Sequence, residues 1–158
     1  MNLSVGISDW KVCKPPDLLV TYALGSCVGI CLYDKIRKIA GLSHIMLPDS
    51  KSSGESNVNR MKFADTAIPD MLQKMTSMGA MQTGMTAKIA GGAMMFQTTS
   101  DRFNIGERNV VAVKAALQAL RIPIVAQDTG LNYGRTVFFT PEDGIMKVKS
   151  ATQGEKSW

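Results

Sequence analysis

The sequence predicts a mixed α/β fold, and three observations predict it. About eight short segments show the period-two alternation or the β-branched and aromatic enrichment of strands. Two longer segments repeat apolar residues at steps of three and four, the mark of helices with one buried face. Strand-like segments lie on both sides of the first helix. That order fits one sheet covered by helices, and equally two layered sheets with helices outside.

The elements follow in order. Val5 to Val12 alternates loosely and reads as a strand, and Pro15-Pro16-Asp17 is a turn. Leu18 to Ala23 is a second strand, interrupted by Gly25-Ser26. Val28 to Tyr33 is a third, Asp34 to Lys38 a polar turn, and Ile39 to Met46 a fourth, ended by Leu47-Pro48-Asp49. Ser50 to Ser56 reads as a flexible loop. Ala64, Ala67, Ile68, Met71, Leu72, Met75 and Met78 then form one helical stripe. Pro69 removes a backbone donor inside it, so a kink or a helix start close before it is expected, with Gly79 as the C-cap. Thr86 to Ala90 is a strand closed by Gly91-Gly92. Ile105 to Leu120 is a helix opened by Asn104 as N-cap and buried along Val110, Val113, Leu117 and Leu120. Pro123 to Gln127, Arg135 to Thr140 and Ile145 to Lys149 complete the strands.

Bulk properties narrow the function classes. The 158 residues suit one domain spanning the whole chain, with a flexible tail expected from about residue 150. Hydrophobic residues make up 45% and charged residues 20%, ordinary for a globular protein. No segment approaches the roughly 20 apolar residues that span a bilayer. The start, MNLSVGISDW, lacks the basic and apolar regions of a secretory signal, so the cytoplasm is the expected compartment. Three cysteines, Cys13, Cys27 and Cys31, are odd in number and fit reduced thiols better than a disulfide framework. The net charge of +5 is scattered apart from Lys147, Lys149 and Lys156, and aromatics are few. No basic stripe marks a nucleic-acid footprint.

The stretch TYALGSC, Thr21 to Cys27, raises the functional question. A Gly-Ser break lets the chain turn sharply and sets Cys27 at the start of the next apolar run, near free backbone amides that stabilise a thiolate or an oxyanion. The chain's one histidine, His44, lies on the following strand. A hairpin around Asp34 to Lys38 brings Cys27 opposite the end of that strand, where cross-strand Cβ atoms lie about 4.5–5.5 Å apart. Thr21 is placed to orient the imidazole as a third member. Buried packing accounts for Cys13 and Cys31, and the same reading stays open for Cys27 and His44. A zinc site from Cys27, Cys31 and His44 lacks a second close pair of ligands. Gly91-Gly92-Ala93 is read as a tight turn, or as a close backbone approach to the site. Met94, Met95, Phe96 and Phe103 flank a polar loop, as core or as a partner surface.

At these residues the chain resembles the CheD family of bacterial chemoreceptor glutamine deamidases. The matching pieces are LGSCVGICLYD at 24–34, HIMLPDS at 44–50, FADTAIPDML at 63–72, AKIAGGAMMF at 87–96, NIGERNVVAVK at 104–114 and DTGLNYGRTVFF at 128–139. One departure is visible: the family commonly has two adjacent glycines where Gly130 is here followed by Leu131. The resemblance implies a layered α/β sandwich similar to the catalytic domains of deamidating toxins. It implies a cysteine hydrolase with Cys27 as nucleophile, His44 as base and Thr21 as third member, and backbone amides at Ser26 and Cys27 holding the oxyanion. No metal or other cofactor is implied. The implied substrates are glutamine side chains on the helical bundle of methyl-accepting chemoreceptors, converted to glutamate through a thioester. The implied partner is a CheC-type phosphatase, and a binding module that engages it is the alternative reading. The roles of Lys88 and Arg135 are left unassigned.

Overall fold

The computed structural model describes residues 1–54, 58–95 and 104–158. Its elements are β1 (Asn2–Ser4), β2 (Asp9–Cys13), β3 (Leu18–Leu24), β4 (Val28–Asp34), β5 (Ile39–Ile45), α1 (Ala64–Ser77), β6 (Met85–Gly91), α2 (Ile105–Ala119), β7 (Ile124–Thr129), β8 (Arg135–Phe139), β9 (Met146–Ser150) and β10 (Gly154–Ser157). They form two mixed five-stranded sheets, ordered β1-β3-β8-β9-β10 and β2-β5-β4-β6-β7. Of the two arrangements the sequence allows, the layered pair of sheets with both helices outside is the one observed.

Burial explains the layering. Every residue of β4 and β5 is buried, because the second sheet is covered on both faces. One face, with Val28, Ile30, Leu32, Ile45 and Ile89, packs on Ile68, Met71 and Met75 of α1 and Val113 and Leu117 of α2. The other face, with Cys31, Tyr33, Leu42 and Ala90, meets Leu19, Leu24, Val137, Phe139 and Val148 of the first sheet. Tyr33 and Phe139 meet edge to face across that interface, with ring centroids 5.9 Å apart.

The helices obey their sequence signals. Pro69 lies inside α1, which starts five residues before it. The amide it lacks is the one that would reach the Asp65 carbonyl. After α1, the amides of Gly79 and Ala80 bond the Thr76 and Met75 carbonyls, with Gly79 at φ +108°, a Schellman stop. Asn104 caps α2: its side-chain oxygen accepts from the Glu107 amide while its nitrogen donates to the Glu107 carboxylate.

Two expectations are corrected. Val5 to Val12 is strand only from Asp9, in β2; β1 precedes it in the other sheet, and Ser8, at φ 60°, turns the chain between them. The stretch after residue 150 is not a free tail. β10 pairs antiparallel with β9, and the Met146 and Trp158 backbones exchange bonds at 2.8 and 3.0 Å. Part of the loop predicted at Ser50 to Ser56 is a 3-10 turn over Ser50–Ser53, fastened by Asp65, which accepts from the Ser50 amide and hydroxyl. Ser56, Phe96 and Phe103 lie outside the described residues.

Candidate active site

The site begins where β3 breaks its register. Pairing with β8 shifts between Thr21 and Leu24, and Ala23 takes φ 59°. This bulge returns Leu24 to the inter-sheet core and delivers Gly25-Ser26-Cys27 as a link into β4. Three successive carbonyls of the link are bound: Gly25 O by the Ala93 amide (2.9 Å), Ser26 O by the Asn109 side chain (2.9 Å) and Cys27 O by the Gly92 amide (2.8 Å). In a planar trans peptide the N–H points opposite the C=O. Fixing the first two carbonyls therefore turns the Ser26 and Cys27 amides the other way, and among the described residues neither bonds a backbone carbonyl. The Cys27 amide lies against its own sulfur.

Gly91 makes room for this link. It ends β6 opposite Val28, at φ +110°, and a Cβ there would lie 2.3 Å from the Cys27 carbonyl oxygen. The close-approach reading of Gly91-Gly92 therefore holds over a simple turn after the strand.

His44 stands diagonally from Cys27. β5 pairs with β4 so that His44 faces Gly29 and Val28 faces Ile45, which leaves Cys27 two residues from the His44 partner and on the same side of the sheet. Diagonal Cα atoms are about 7–8 Å apart, with Cβ atoms closer. The contact is thus diagonal rather than directly cross-strand, and Gly29 places no side chain between the two. Cys27 packs at the margin of the inter-sheet core and is half-buried, whereas His44 is fully buried.

Thr21 reaches the imidazole from the other sheet. Its Oγ1 lies 2.7 Å from His44 Nδ1 and 2.7 Å from the Val5 carbonyl. A carbonyl only accepts, so the single hydroxyl proton goes to Val5. The hydroxyl then accepts from His44, and Nδ1 carries the imidazole proton. Nε2 is left with a free lone pair, buried and without a hydrogen-bond partner. The arrangement makes Nε2 the basic atom.

Burial sets the resting charge. It pushes the His44 pKa down to about 4 and the Cys27 thiol up, the latter opposed by the residue's own amide. The free site therefore rests as neutral thiol and neutral imidazole. Cys13 is pushed up to about 11, mainly by desolvation, and Cys31, fully enclosed, is pushed up further. Among the described residues, no three His, Cys, Asp or Glu side chains converge as a metal group, so Cys27, Cys31 and His44 form no such set.

Three polar side chains that sequence reasoning left without a role support this frame. Asn109, fully buried on α2, donates to Ser26 O at 2.9 Å and to Met46 O at 3.0 Å. Arg135 lies over the Tyr133 ring, bonds Gly130 O at 3.1 Å and meets Asp128 at 3.4 Å, bracing the chain from 128 to 135. Lys88 donates to Gly144 O and Trp158 O, both at 2.8 Å, and ties β6 to the C-terminal hairpin.

Tyr22, Met46, Met94, Met95 and Leu131 are all exposed. A cavity of about 690 Å³ lies between Met94, Met95, Val110 and Leu131, and neither Cys27 nor His44 lines it. Met95 leans on Gly25, where a Cβ would lie 3.2 Å from its Cγ. Leu131 holds φ 59°, and its carbonyl accepts from the Met94 amide at 2.8 Å. No helix among the described residues is long and apolar enough to cross a membrane.

Known proteins resemble this chain over nearly all of its length. The family model described as CheD chemotactic sensory transduction matches residues 46–150, a span that starts just after His44. The relatives' alignments reach further. The probable chemoreceptor glutamine deamidase CheD of Lachnoclostridium phytofermentans is 51% identical over 156 residues, 98% of this chain and 96% of its own. The protein of the same name from Caldanaerobacter subterraneus subsp. tengcongensis is 53% identical over the same shares. The chemoreceptor glutamine deamidase CheD of Bacillus subtilis is 43% identical over 98% of this chain and 95% of its own.

Proposed function

This chain belongs to the CheD family, and from that premise we propose that it is a protein-glutamine deamidase acting on chemoreceptors, with Cys27 as nucleophile, His44 as proton carrier and Thr21 as the residue that orients the imidazole. The observation that carries the reading is the bond pair at Thr21, which leaves His44 Nε2 as an unpartnered base on the same inter-sheet side as the Cys27 thiol.

The chemistry runs in two halves. A glutamine carboxamide enters beside the thiol, and Nε2 takes the thiol proton as sulfur attacks the carbonyl carbon. The carbonyl oxygen becomes an oxyanion held by the Ser26 and Cys27 amides. Collapse breaks the C–N bond, His44 gives its proton to the departing nitrogen, and ammonia leaves a thioester on Cys27. Water then attacks the thioester carbon while Nε2 takes its proton. Collapse returns the electron pair to sulfur, His44 reprotonates the thiol, and glutamate is released. The thiol supplies the first nucleophile and water the second.

Exposed Met95, which leans on Gly25 of the link, suits contact with a partner surface such as a receptor helix better than with a free amino acid. The test is mass spectrometry of a receptor cytoplasmic fragment incubated with the protein. Wild type is expected to add about one dalton per glutamine converted, whereas Cys27→Ala and His44→Ala leave the mass unchanged, as loss of a covalent nucleophile or its base predicts. If wild type and Cys27→Ala give the same spectrum, the enzyme reading fails and a binding module for a CheC-type phosphatase stands in its place.

A further inference from the structure

The buried carboxamide of Asn109 touches both halves of the candidate site from outside it. It sits in the second turn of α2, fully enclosed. Its two neighbours are carbonyl oxygens, Ser26 O at 2.9 Å and Met46 O at 3.0 Å, so the NH2 group must face them and both of its hydrogens are used. Ser26 O belongs to the peptide whose N–H is the Cys27 amide. Met46 lies two residues beyond His44.

From this bridge, and resting on the deamidase reading above, we infer that Asn109 is a positioning residue for the reaction: it aims the Cys27 amide at the oxyanion position and sets the separation of Cys27 from His44. Two consequences follow from elementary geometry. Because the peptide is planar, holding Ser26 O toward α2 fixes the direction of the Cys27 N–H away from α2. Without the bond, that peptide loses its own anchor between the held Gly25 and Cys27 carbonyls, and the amide can tilt away from the thiol and the substrate oxygen. The second hydrogen holds Met46, so Asn109 ties the end of β5 to the Gly25-Ser26-Cys27 link beyond the last β4–β5 pair, Val28 with Ile45. The diagonal geometry across Gly29 tolerates little drift, since its Cβ atoms already start farther apart than a directly opposed pair. A displacement of about 1 Å at a reacting group costs on the order of 100-fold in rate. Asn109 touches neither the thiol nor the imidazole, so it acts through them.

The test compares Asn109→Ala and Asn109→Ser with wild type, each first checked by circular dichroism and thermal melting. Two readouts are made well below the melting point. In the first, receptor-fragment deamidation should show kcat lowered about 10- to 100-fold, with KM changed by less than about two-fold. In the second, which needs no substrate, iodoacetamide labelling of Cys27 is followed against pH. The variants should label more slowly at pH 7 to 8, with the titration midpoint moved upward, because the amide that lowers the thiol pKa has turned away. Asn109→Ser, keeping one donor, should fall between wild type and Asn109→Ala. A purely structural residue would lower the melting point and leave both readouts at wild-type values, and that result overturns the inference. If wild type shows no deamidation but the labelling midpoint still moves, the deamidase reading fails while the positioning role survives. Should both variants fail to fold, the wild type decides: its Asn109 side-chain amide protons should exchange slowly and shift on alkylation of Cys27. Fast exchange, or no shift, overturns the inference.

Discussion

At the scale of single residues, one proton decides the site. Thr21 gives its hydroxyl proton to Val5 and thereby forces His44 to present Nε2 as the base. Thr21→Val keeps shape and removes the oxygen. It strands the Val5 carbonyl and the Nδ1–H without partners, each a buried polar group costing about 1–3 kcal/mol. We predict a lower melting temperature and a kcat reduced about 10- to 100-fold, by analogy with other outer-shell partners of a functional histidine, with Thr21→Ser restoring most of both. A variant as active as wild type would mean that the imidazole is oriented by something else. Acid should act through the same histidine. Its folded pKa, about 4, lies below the unfolded value near 6.5, so between those pH values the unfolded chain binds a proton that the folded chain refuses. Stability is therefore fully present above pH 6.5 and is lost as pH falls toward 4, by up to about 3 kcal/mol. Melting scans from pH 7.5 to 4.5 should show this slope in wild type and a shallower one in His44→Gln. If His44 is the base, activity in the same range should persist below pH 6, because its imidazole stays neutral there. The pair itself was legible in the chain: a Gly-Ser break sets Cys27 at a strand start, and a single histidine leaves one candidate base. Asn109 was not legible, because its partners lie 83 and 63 residues away and an asparagine in a helix carries no spacing signal.

At the scale of elements, the strand edges do the positioning, and β6 is the sensitive one. Gly91 combines φ +110° with a Cβ position 2.3 Å from the Cys27 carbonyl oxygen. Gly91→Ala must push the Gly25-Ser26-Cys27 link away or distort the end of β6. Backbone that cannot adopt the required φ costs about 1–3 kcal/mol. The prediction is a folded, less stable protein whose Cys27 labels at a changed rate and whose deamidation is almost lost. A crystal structure of Gly91→Ala with the link unmoved and full activity would refute the packing argument. Elements whose pattern reflects burial were readable: β4 and β5 as apolar runs, α1 and α2 as stripes with Gly79 and Asn104 at their ends. Two were not. The alternation of Val5 to Val12 continues through a turn, so nothing in the period marks the change of sheet. β10, Gly-Glu-Lys-Ser, is exposed at every residue. It is held by backbone pairing to β9, with Lys88 binding the Trp158 carbonyl just beyond it, and so carries no hydrophobic signal.

At the scale of the molecule, the site is an interface between two sheets. Thr21 and the Val5 carbonyl belong to the β1–β3 side, and Cys27 and His44 to the β4–β5 side. Neither sheet holds a complete set of roles, so whatever parts the layers also dismantles the base. Cys31 reports on that parting. It sits four residues after Cys27 on β4, faces the first sheet and is 1% exposed. Its thiol pKa is raised by desolvation, partly opposed by Lys88, so in the closed state it is both inaccessible and un-ionised. Pulse alkylation of Cys31 in a urea series therefore measures the free energy of opening the sandwich. Because β4 is enclosed by helices on one face and the other sheet on its other face, no local opening frees Cys31 while leaving the rest intact. The expected result is one transition: Cys31 labelling, loss of far-UV circular dichroism and loss of deamidase activity share a midpoint, as in two-state unfolding of a small domain. Cys27, half-buried at the margin, should label before that transition. If Cys31 labels at urea concentrations where activity is still full, the sheets separate without disturbing the catalytic set. The dependence of the base on Thr21 would then be wrong.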